Sequence, residues 1–564
     1  MLAFGVRKFR SMLLAGTFAV LACFLMQLTD SLLAGNLLGA EALAGVNLAS
    51  PFQTIIAFFA GMLATGTGTR YALAMGRCDI LGARRIFTQG LWSVLIVCGA
   101  LSAALLLFSD ELLAFYGATG DAFDLARIYL FRMWPIGLLH GLLALLIQLS
   151  YSDGDSRLCV IAYGAVFAVN LLLSYALLRL GFGIAACAYG TVAADLVGGA
   201  IMLLHFRSPS NTYRAVKYFS PKETLAICGA SLGDSASLLC NSLLALFINA
   251  FAVREFGEGV LPVTAVAMTA WCGLFVFDGV GAAIQPIVTV YAGEDNPVAI
   301  RKVMKAAMSV SAVEGLLASA VFLVFAPAIV SAIGVSDVEL AAEAVIAVRC
   351  LAIGIVPFAF AGLFNSYYMF IDRPFLAGLL TVVVYLVLPV AMIAVFTLFA
   401  DASGLWLGLG SGTLLGVALV GGMIALLAGK AAFPLLLDRK RETELTVFDL
   451  ALDESSIVDT SRRIGELPGM PMKASLLTEE VLMTVKDRSA GKRINAEVTV
   501  DSRDGFKLTF RDDGAIFDIT DADQSIRSLR SYLVASMMIH HDGKLNLVTT
   551  GFNRNVFHFP KEST

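Results

Sequence analysis

The feature that most limits what this chain can fold into is a series of apolar stretches, running from near the N-terminus to about position 429. Each is long enough to cross a bilayer core, which takes roughly 20 apolar residues as a helix. Charge is distributed accordingly: 44 of the 84 Asp, Glu, Lys and Arg residues lie in the first 429 positions and 40 in the last 135. That is about 10% charged and then about 30%, the second value being ordinary for a soluble chain. With 58% hydrophobic residues and a mean hydropathy of +0.80, an ordinary soluble enzyme is excluded. The formal net charge of -4 argues against a nucleic-acid partner.

Hydropathy places spans near 11–37, 44–69, 88–108, 125–150, 158–179 and 183–206, and a second set near 223–252, 260–291, 305–333, 341–370, 376–399 and 403–429. The expected fold is an all-α membrane protein of about twelve transmembrane helices in two parallel six-helix repeats, plus a small α+β cytoplasmic domain. Arg7, Lys8 and Arg10 before an apolar run imitate a signal peptide, but the run continues past Asp30 and reads as an uncleaved first span. The nine cysteines are unclustered and lack metal-ligand spacing, so they read as small buried apolar residues, with no disulfide and no metal site.

Basic residues accumulate in cytoplasmic loops. With the N-terminus inside, 16 of the 21 Lys and Arg before position 430 fall on the inner side and 3 on the outer. An even span count then puts the C-terminal tail, introduced by Arg439-Lys440-Arg441, in the cytoplasm of a cell (cytoplasmic) membrane. The two halves repeat. At an offset of 217, Gly76 falls on Gly293, Arg84 on Arg301, Arg132 on Arg349 and Asp155 on Asp372. Six spans return the chain to its starting side, so the repeats are parallel, as in transporters built of two matching bundles around a cleft. The domains read as lobes 1–217 and 218–435 and a tail domain 443–560.

The stretch from Asp30 to Pro51, together with Gly281 to Pro286 in the eighth span and Gly181 to Thr191 at the start of the sixth, resembles the multidrug and toxic compound extrusion (MATE) family over about residues 1–435. The resemblance implies a secondary active antiporter in which protons or sodium moving inward drive out small organic, often cationic or amphipathic, compounds. In many prokaryotic members, an aspartate in the first helix, an Asn-x-x-x-Asp pair in the fifth and a threonine in the sixth form the coupling-ion site. Asp30, Asn170 and Thr191 match, whereas Ser174 stands where the second aspartate is expected. Its absence weakens sodium coordination, and Asp195, one turn past Thr191, is a candidate replacement charge.

Independently of family, an ionisable residue inside a bilayer is costly and usually functional, which favours Asp30 over a helix-end reading. Asp195, and Asp234 and Asp278 in the second lobe, are balanced between cavity lining and helix-end placement. Arg132 and Arg349 read as snorkelling or structurally paired. His140 reads as an interhelical hydrogen bond before a proton relay. Pro135, Pro286, Pro357 and Pro389 are expected helix breaks.

Beyond Arg441 the pattern is that of a soluble domain: a strand near 443–449, helices near 454–466 and 474–488, strands near 495–501 and 506–512, a helix near 526–539, and strands near 543–550 and 553–559. The order, with Glu479 to Thr484 and Asp512 to Phe517, resembles the histidine-kinase-like ATP-binding fold in its anti-sigma-factor form. Glu480, Asp512 and Gly514 match that family's site. Thr484 replaces its magnesium-binding asparagine, and Ser525 to Ser531 lacks the glycines of its phosphate turn. ATP binding is therefore doubtful, catalysis is not expected, and the tail reads as a regulatory or protein-binding module. Two alternatives to the antiporter remain: a lipid-linked saccharide flippase of the same superfamily, which should carry several cations in its cleft, and a membrane sensor with a signalling tail.

Overall fold

The computed structural model describes residues 3–77, 79–115, 121–153, 155–208, 211–257, 260–333, 338–429, 432–436, 444–488, 494–503, 505–514, 540–541 and 553–559. The stretch read above as the first lobe holds α1 (Phe4–Leu38), α2 (Ala40–Gly76), α3 (Ile80–Phe115), α4 (Asp121–Arg132), α5 (Ile136–Ser152), α6 (Ser156–Arg179) and α7 (Ala185–Met202). The second holds α8 (Pro221–Ala230), α9 (Leu232–Phe256), α10 (Leu261–Cys272), α11 (Asp278–Gly293), α12 (Pro297–Val324), α13 (Ala326–Ile333), α14 (Val338–Phe370), α15 (Pro374–Val382), α16 (Leu388–Ala400) and α17 (Ser403–Leu427). A spanning segment must satisfy its backbone internally, which is why the apolar runs become helices.

Among the described residues, nine helices are long and apolar enough to cross a membrane, or ten if the pair on either side of Pro135 is one span bent by 52°. This is fewer than the twelve expected. The 35 residues of α1 and the 37 of α2 are not in that count, although both exceed the length of a crossing. Several expected spans are not continuous helices. The seventh is divided into α8 and α9, the eighth passes through a 3-10 turn at Gly273–Phe277 between α10 and α11, and the eleventh contains a π-turn at Val383–Val387. Pro389 follows that π-turn, while Pro286 and Pro357 lie inside α11 and α14.

The lobes meet along helices that are equivalent in the two repeats. A Cβ added at Gly76 would lie 2.8 Å from the Gly293 Cα, and one at Gly293 the same distance from the Gly76 Cα. Residues equivalent at the 217 offset thus touch each other. Close approach also joins α1 to α11, where a Cβ at Gly279 would lie 2.6 Å from the Thr17 Cα. Small residues at such crossings let backbones approach where lipid supplies no hydrophobic drive. Leu172, Leu225, Leu398 and Phe399 point outward from the bundle.

The tail contains β1 (Leu445–Ala451), α18 (Glu454–Gly465), α19 (Met472–Arg488), β2 (Asn495–Asp501), β3 (Phe506–Asp512), β4 (His540–His541) and β5 (Asn553–Phe559). The strands form one antiparallel sheet in the order β1-β2-β3-β5-β4. Asp453 starts α18 by accepting the Ser456 backbone N–H at 2.9 Å, the usual role of an acidic N-cap. Ile457, Ile464, Leu477 and Val481 pack with Val498, Phe510 and Phe557 to make the tail's core. The helix expected near 526–539 and the strand near 543–550 lie outside the described residues; β4, at His540–His541, falls between them.

Candidate functional site

Asp30 lies toward the far end of α1 and is buried. Its Oδ2 accepts hydrogen bonds from the Tyr129 hydroxyl at 2.5 Å and the Thr191 hydroxyl at 2.9 Å, and its Oδ1 accepts one from the Asn170 amide at 3.5 Å. The same Asn170 Nδ2 donates to the Thr191 hydroxyl at 2.8 Å, and Gln53 Nε2 donates to the Tyr129 hydroxyl at 2.8 Å. Three side chains, from α4, α6 and α7, thus converge on the α1 carboxylate, and Gln53 of α2 supports one of them. Donors aimed at a buried carboxylate offset its desolvation.

Ser174, one turn beyond Asn170, is fully buried, and neither its hydroxyl nor the Asn170 Oδ1 has a hydrogen-bond partner among the described residues. The Ser174 hydroxyl packs against Gly190 of α7, where a Cβ would collide with it. Where the family pattern has its second carboxylate, the helices therefore pack closely, and the lack of a side chain at Gly190 makes the room that the Ser174 hydroxyl fills.

Asp195, on α7 one turn past Thr191, is paired through Oδ2 with His140 Nδ1 of α5 at 3.1 Å, while its Oδ1 has no partner among the described residues. Asp30, Thr191, His140 and Asp195 all border a small cavity of about 80 Å³ in the first lobe, lined also by Gln53, Met133 and Ile136. The structure thus brings Asp30, Asn170, Thr191 and Asp195 to one region. Tyr129 and Gln53 escaped the sequence reading, because nothing in an apolar helix marks which face points inward.

A second cavity of about 290 Å³ lies between the lobes. Asp278, at the start of α11 just after the 3-10 turn, borders it with Gln148, Gln285, Asn365, Phe358 and Tyr385. Gln148 and Asn365 are equivalent at the 217 offset, so a polar residue recurring at one place in both repeats was the available signal for this wall. Asp234 lies on α9, but its side chain is outside the described residues. Arg132 stacks over Tyr189 at 5.9 Å, and Arg349 Nε donates to the Leu323 carbonyl at 3.2 Å. Neither borders these cavities.

In the tail, Asp512 is buried, and its Oδ1 accepts from Asn553 Nδ2 of β5 at 2.7 Å and from the Gly514 backbone N–H at 3.0 Å. Burial pushes its carboxyl up to about 6, against the lowering effect of those two donors. The Thr484 hydroxyl donates back to the Glu480 carbonyl at 2.7 Å, so it is occupied within its own helix. The segment Ser525 to Ser531 lies outside the described residues.

Residues 17–176 match the MatE family model. A probable multidrug resistance protein NorM of Rhizobium meliloti (strain 1021) is 30% identical over 204 residues, which is 35% of this chain and 43% of that protein; the chain thus aligns with less than half the length of this curated relative. Among solved structures, the outward-facing conformation of a multidrug resistance MATE family transporter of the MOP superfamily superimposes with a TM-score of 0.68 at 22% identity, covering 76% of this chain and 99% of that one. A MOP superfamily transporter from Pyrococcus furiosus, described as having a binding pocket of reverse polarity, gives 0.69 at 22% identity, covering 77% and 99%. Residues 17–176 thus carry the MatE pattern, and the multi-pass membrane body has the fold of the MATE transporters.

Proposed function

We propose that this chain is a secondary active antiporter that exports small organic, cationic or amphipathic compounds in exchange for protons or sodium. The observation that carries the reading is the buried Asp30 carboxylate, held by Tyr129, Thr191 and Asn170 beside a cavity that also reaches Asp195. A carboxylate in such a place takes up a cation, releases it, and biases the lobes toward one state or the other. The cavity between the lobes is the substrate site in this reading, with Asp278 supplying negative charge and Phe358 and Tyr385 aromatic faces for an organic cation.

The excess of basic residues on one side supports a cell membrane location with both termini cytoplasmic. The lobes 1–217 and 218–435 are the two moving bodies, and 443–560 is a regulatory domain. The tail is not an ATPase in this reading, since Thr484 and Asp512 are both engaged in internal hydrogen bonds. A lipid-linked saccharide flippase is disfavoured because Arg132 and Arg349 are occupied away from the cavities. Transport in sealed vesicles tests the reading: wild-type protein should move a fluorescent organic cation under an imposed proton or sodium gradient, and Asp30→Asn should not. A sensor would bind the compound and move none.

A further inference from the structure

The tail sits over the seam where the two lobes touch, and its contacts reach both of them. Arg554 on β5 is fully buried; its Nη1 donates to the Met75 carbonyl at 2.9 Å and its Nη2 to the Gly76 carbonyl at 3.0 Å. These carbonyls belong to the last turn of α2, in the first lobe, where helix acceptors lack partners and the dipole favours a cation. The Nε of the same guanidinium lies 2.7 Å from Glu294 Oε1, immediately after α11 in the second lobe. One side chain therefore ties the two helix ends that meet at Gly76 and Gly293.

Arg511, opposite Arg554 in the β3–β5 register, reinforces the tie. It is ion-paired with the other Glu294 oxygen and with Glu497 at 2.5 Å, and its guanidinium lies over the Tyr291 ring at 4.9 Å. Less buried pairs surround this centre: Arg503 with Asp295 at 2.6 Å, Lys302 with Asp449 at 2.8 Å, and the Phe4 backbone N–H donating to Asp449 at 2.7 Å. Arg7 of α1 bonds Asn495 of β2. Moving α2 away from α11 breaks the Arg554 bridge on one side or the other, so a docked tail and an open seam are incompatible.

We propose that the seam is a docking surface for the chain's own C-terminal domain, which acts as a latch holding this end of the transporter closed. Each opening toward the tail side requires the Arg554–Glu294 tie to release. The latch rests on the two-lobe antiporter reading, since only lobes that separate need holding. At its centre Glu294 lies between two arginines, each bound to one of its carboxylate oxygens.

Hydrogen–deuterium exchange of the full-length protein in lipid nanodiscs, read at residues 72–77 and 290–296, tests the latch alongside efflux from proteoliposomes. Arg554→Gln and Glu294→Gln should each speed seam exchange at least tenfold and raise the efflux rate, while exchange inside β2 stays at the wild-type level. Should either buried-site variant fail to fold, Arg503→Ala with Lys302→Ala weakens docking at half-exposed positions and should shift both readouts the same way. Exposure of the tail's docked face with seam exchange and efflux unchanged would overturn the latch and leave the antiporter reading standing. Faster seam exchange in the variants of a protein that moves no compound would overturn the antiporter reading, and the latch with it, leaving Arg554 and Glu294 as a structural tie only.

Discussion

Tyr129 on α4 donates its hydroxyl to the Asp30 carboxylate on α1 across 2.5 Å, the shortest of the three hydrogen bonds holding that group. A hydrogen bond to a charged group contributes about 1.5–3 kcal/mol, which is about a tenfold to hundredfold effect on an equilibrium. Tyr129→Phe removes the hydroxyl and keeps the ring, so gradient-driven efflux should fall at least tenfold with the protein still inserted. Asp30→Asn should fall further, to the uncoupled background. Efflux of a fluorescent cation measured for both variants at matched expression checks the ranking, and a Tyr129→Phe variant with wild-type rates would show that the phenol is only packing.

Ser174 offers a test in which structure and family pattern pull in opposite directions. Restoring the family's carboxylate with Ser174→Asp should raise sodium dependence on the pattern alone. The Ser174 hydroxyl, however, already packs against Gly190 and has no hydrogen-bond partner among the described residues. The larger, charged side chain must push α7 away, and overpacking of this kind costs about 1–3 kcal/mol. Ser174→Asp should therefore lower the thermal midpoint, whereas Ser174→Ala should change it little. Thermal unfolding in detergent should rank alanine above aspartate; the reverse order would mean that the site holds a cation which the new carboxylate binds.

Gly76 and Gly293 predict matching effects from either side of the seam. Ordinarily Gly→Ala within a helix is favourable by about 1 kcal/mol. Here a Cβ at either position meets the opposite backbone at 2.6 Å, at the Val290 carbonyl from Gly76 and at the Leu73 carbonyl from Gly293. Both Gly76→Ala and Gly293→Ala should instead destabilise the body by about 1–3 kcal/mol. Scanning calorimetry of the two variants checks this, and an increase in midpoint for either would show that the helices have room to part without cost.

These residues also show where the sequence runs out. The 217 offset pointed to Gly76 and Gly293, because repetition survives in residue identity; Asp30 stood out as an ionisable residue in an apolar run, and Asn170 and Thr191 were implied by the family resemblance. Tyr129 and Gln53 did not, because a helix surrounded by lipid and protein is apolar on every side and loses the periodicity that marks an inward face. The break at Gly273–Phe277 and the π-turn at Val383–Val387 were likewise hidden, since neither interrupts hydropathy. Nothing in the sequence singled out Arg511 or Arg554, and only the docked geometry reveals them as buried partners of Glu294.

Asp512 makes the tail's stability depend on pH in a direction that can be worked out. Burial raises its carboxyl from an ordinary 3.8 to about 6, so between about pH 4 and 6 the folded tail holds a proton that the unfolded chain has released. A state that binds more protons is weakened as pH rises. The stability conferred by the protonated group is complete below about pH 4 and lost by the time pH passes 6, a difference of roughly 3 kcal/mol. Asp512→Asn keeps an oxygen to accept from Asn553 and Gly514 but cannot ionise. The variant's tail should therefore be more stable than wild type at pH 7 and should lose the slope between pH 4 and 6. Hydrogen exchange of β2 and β3 in the full-length protein across that range measures it. An unchanged slope in the variant would place the titrating group elsewhere, and a less stable tail at pH 7 would mean that the ionised carboxylate is itself a structural anchor of the sheet.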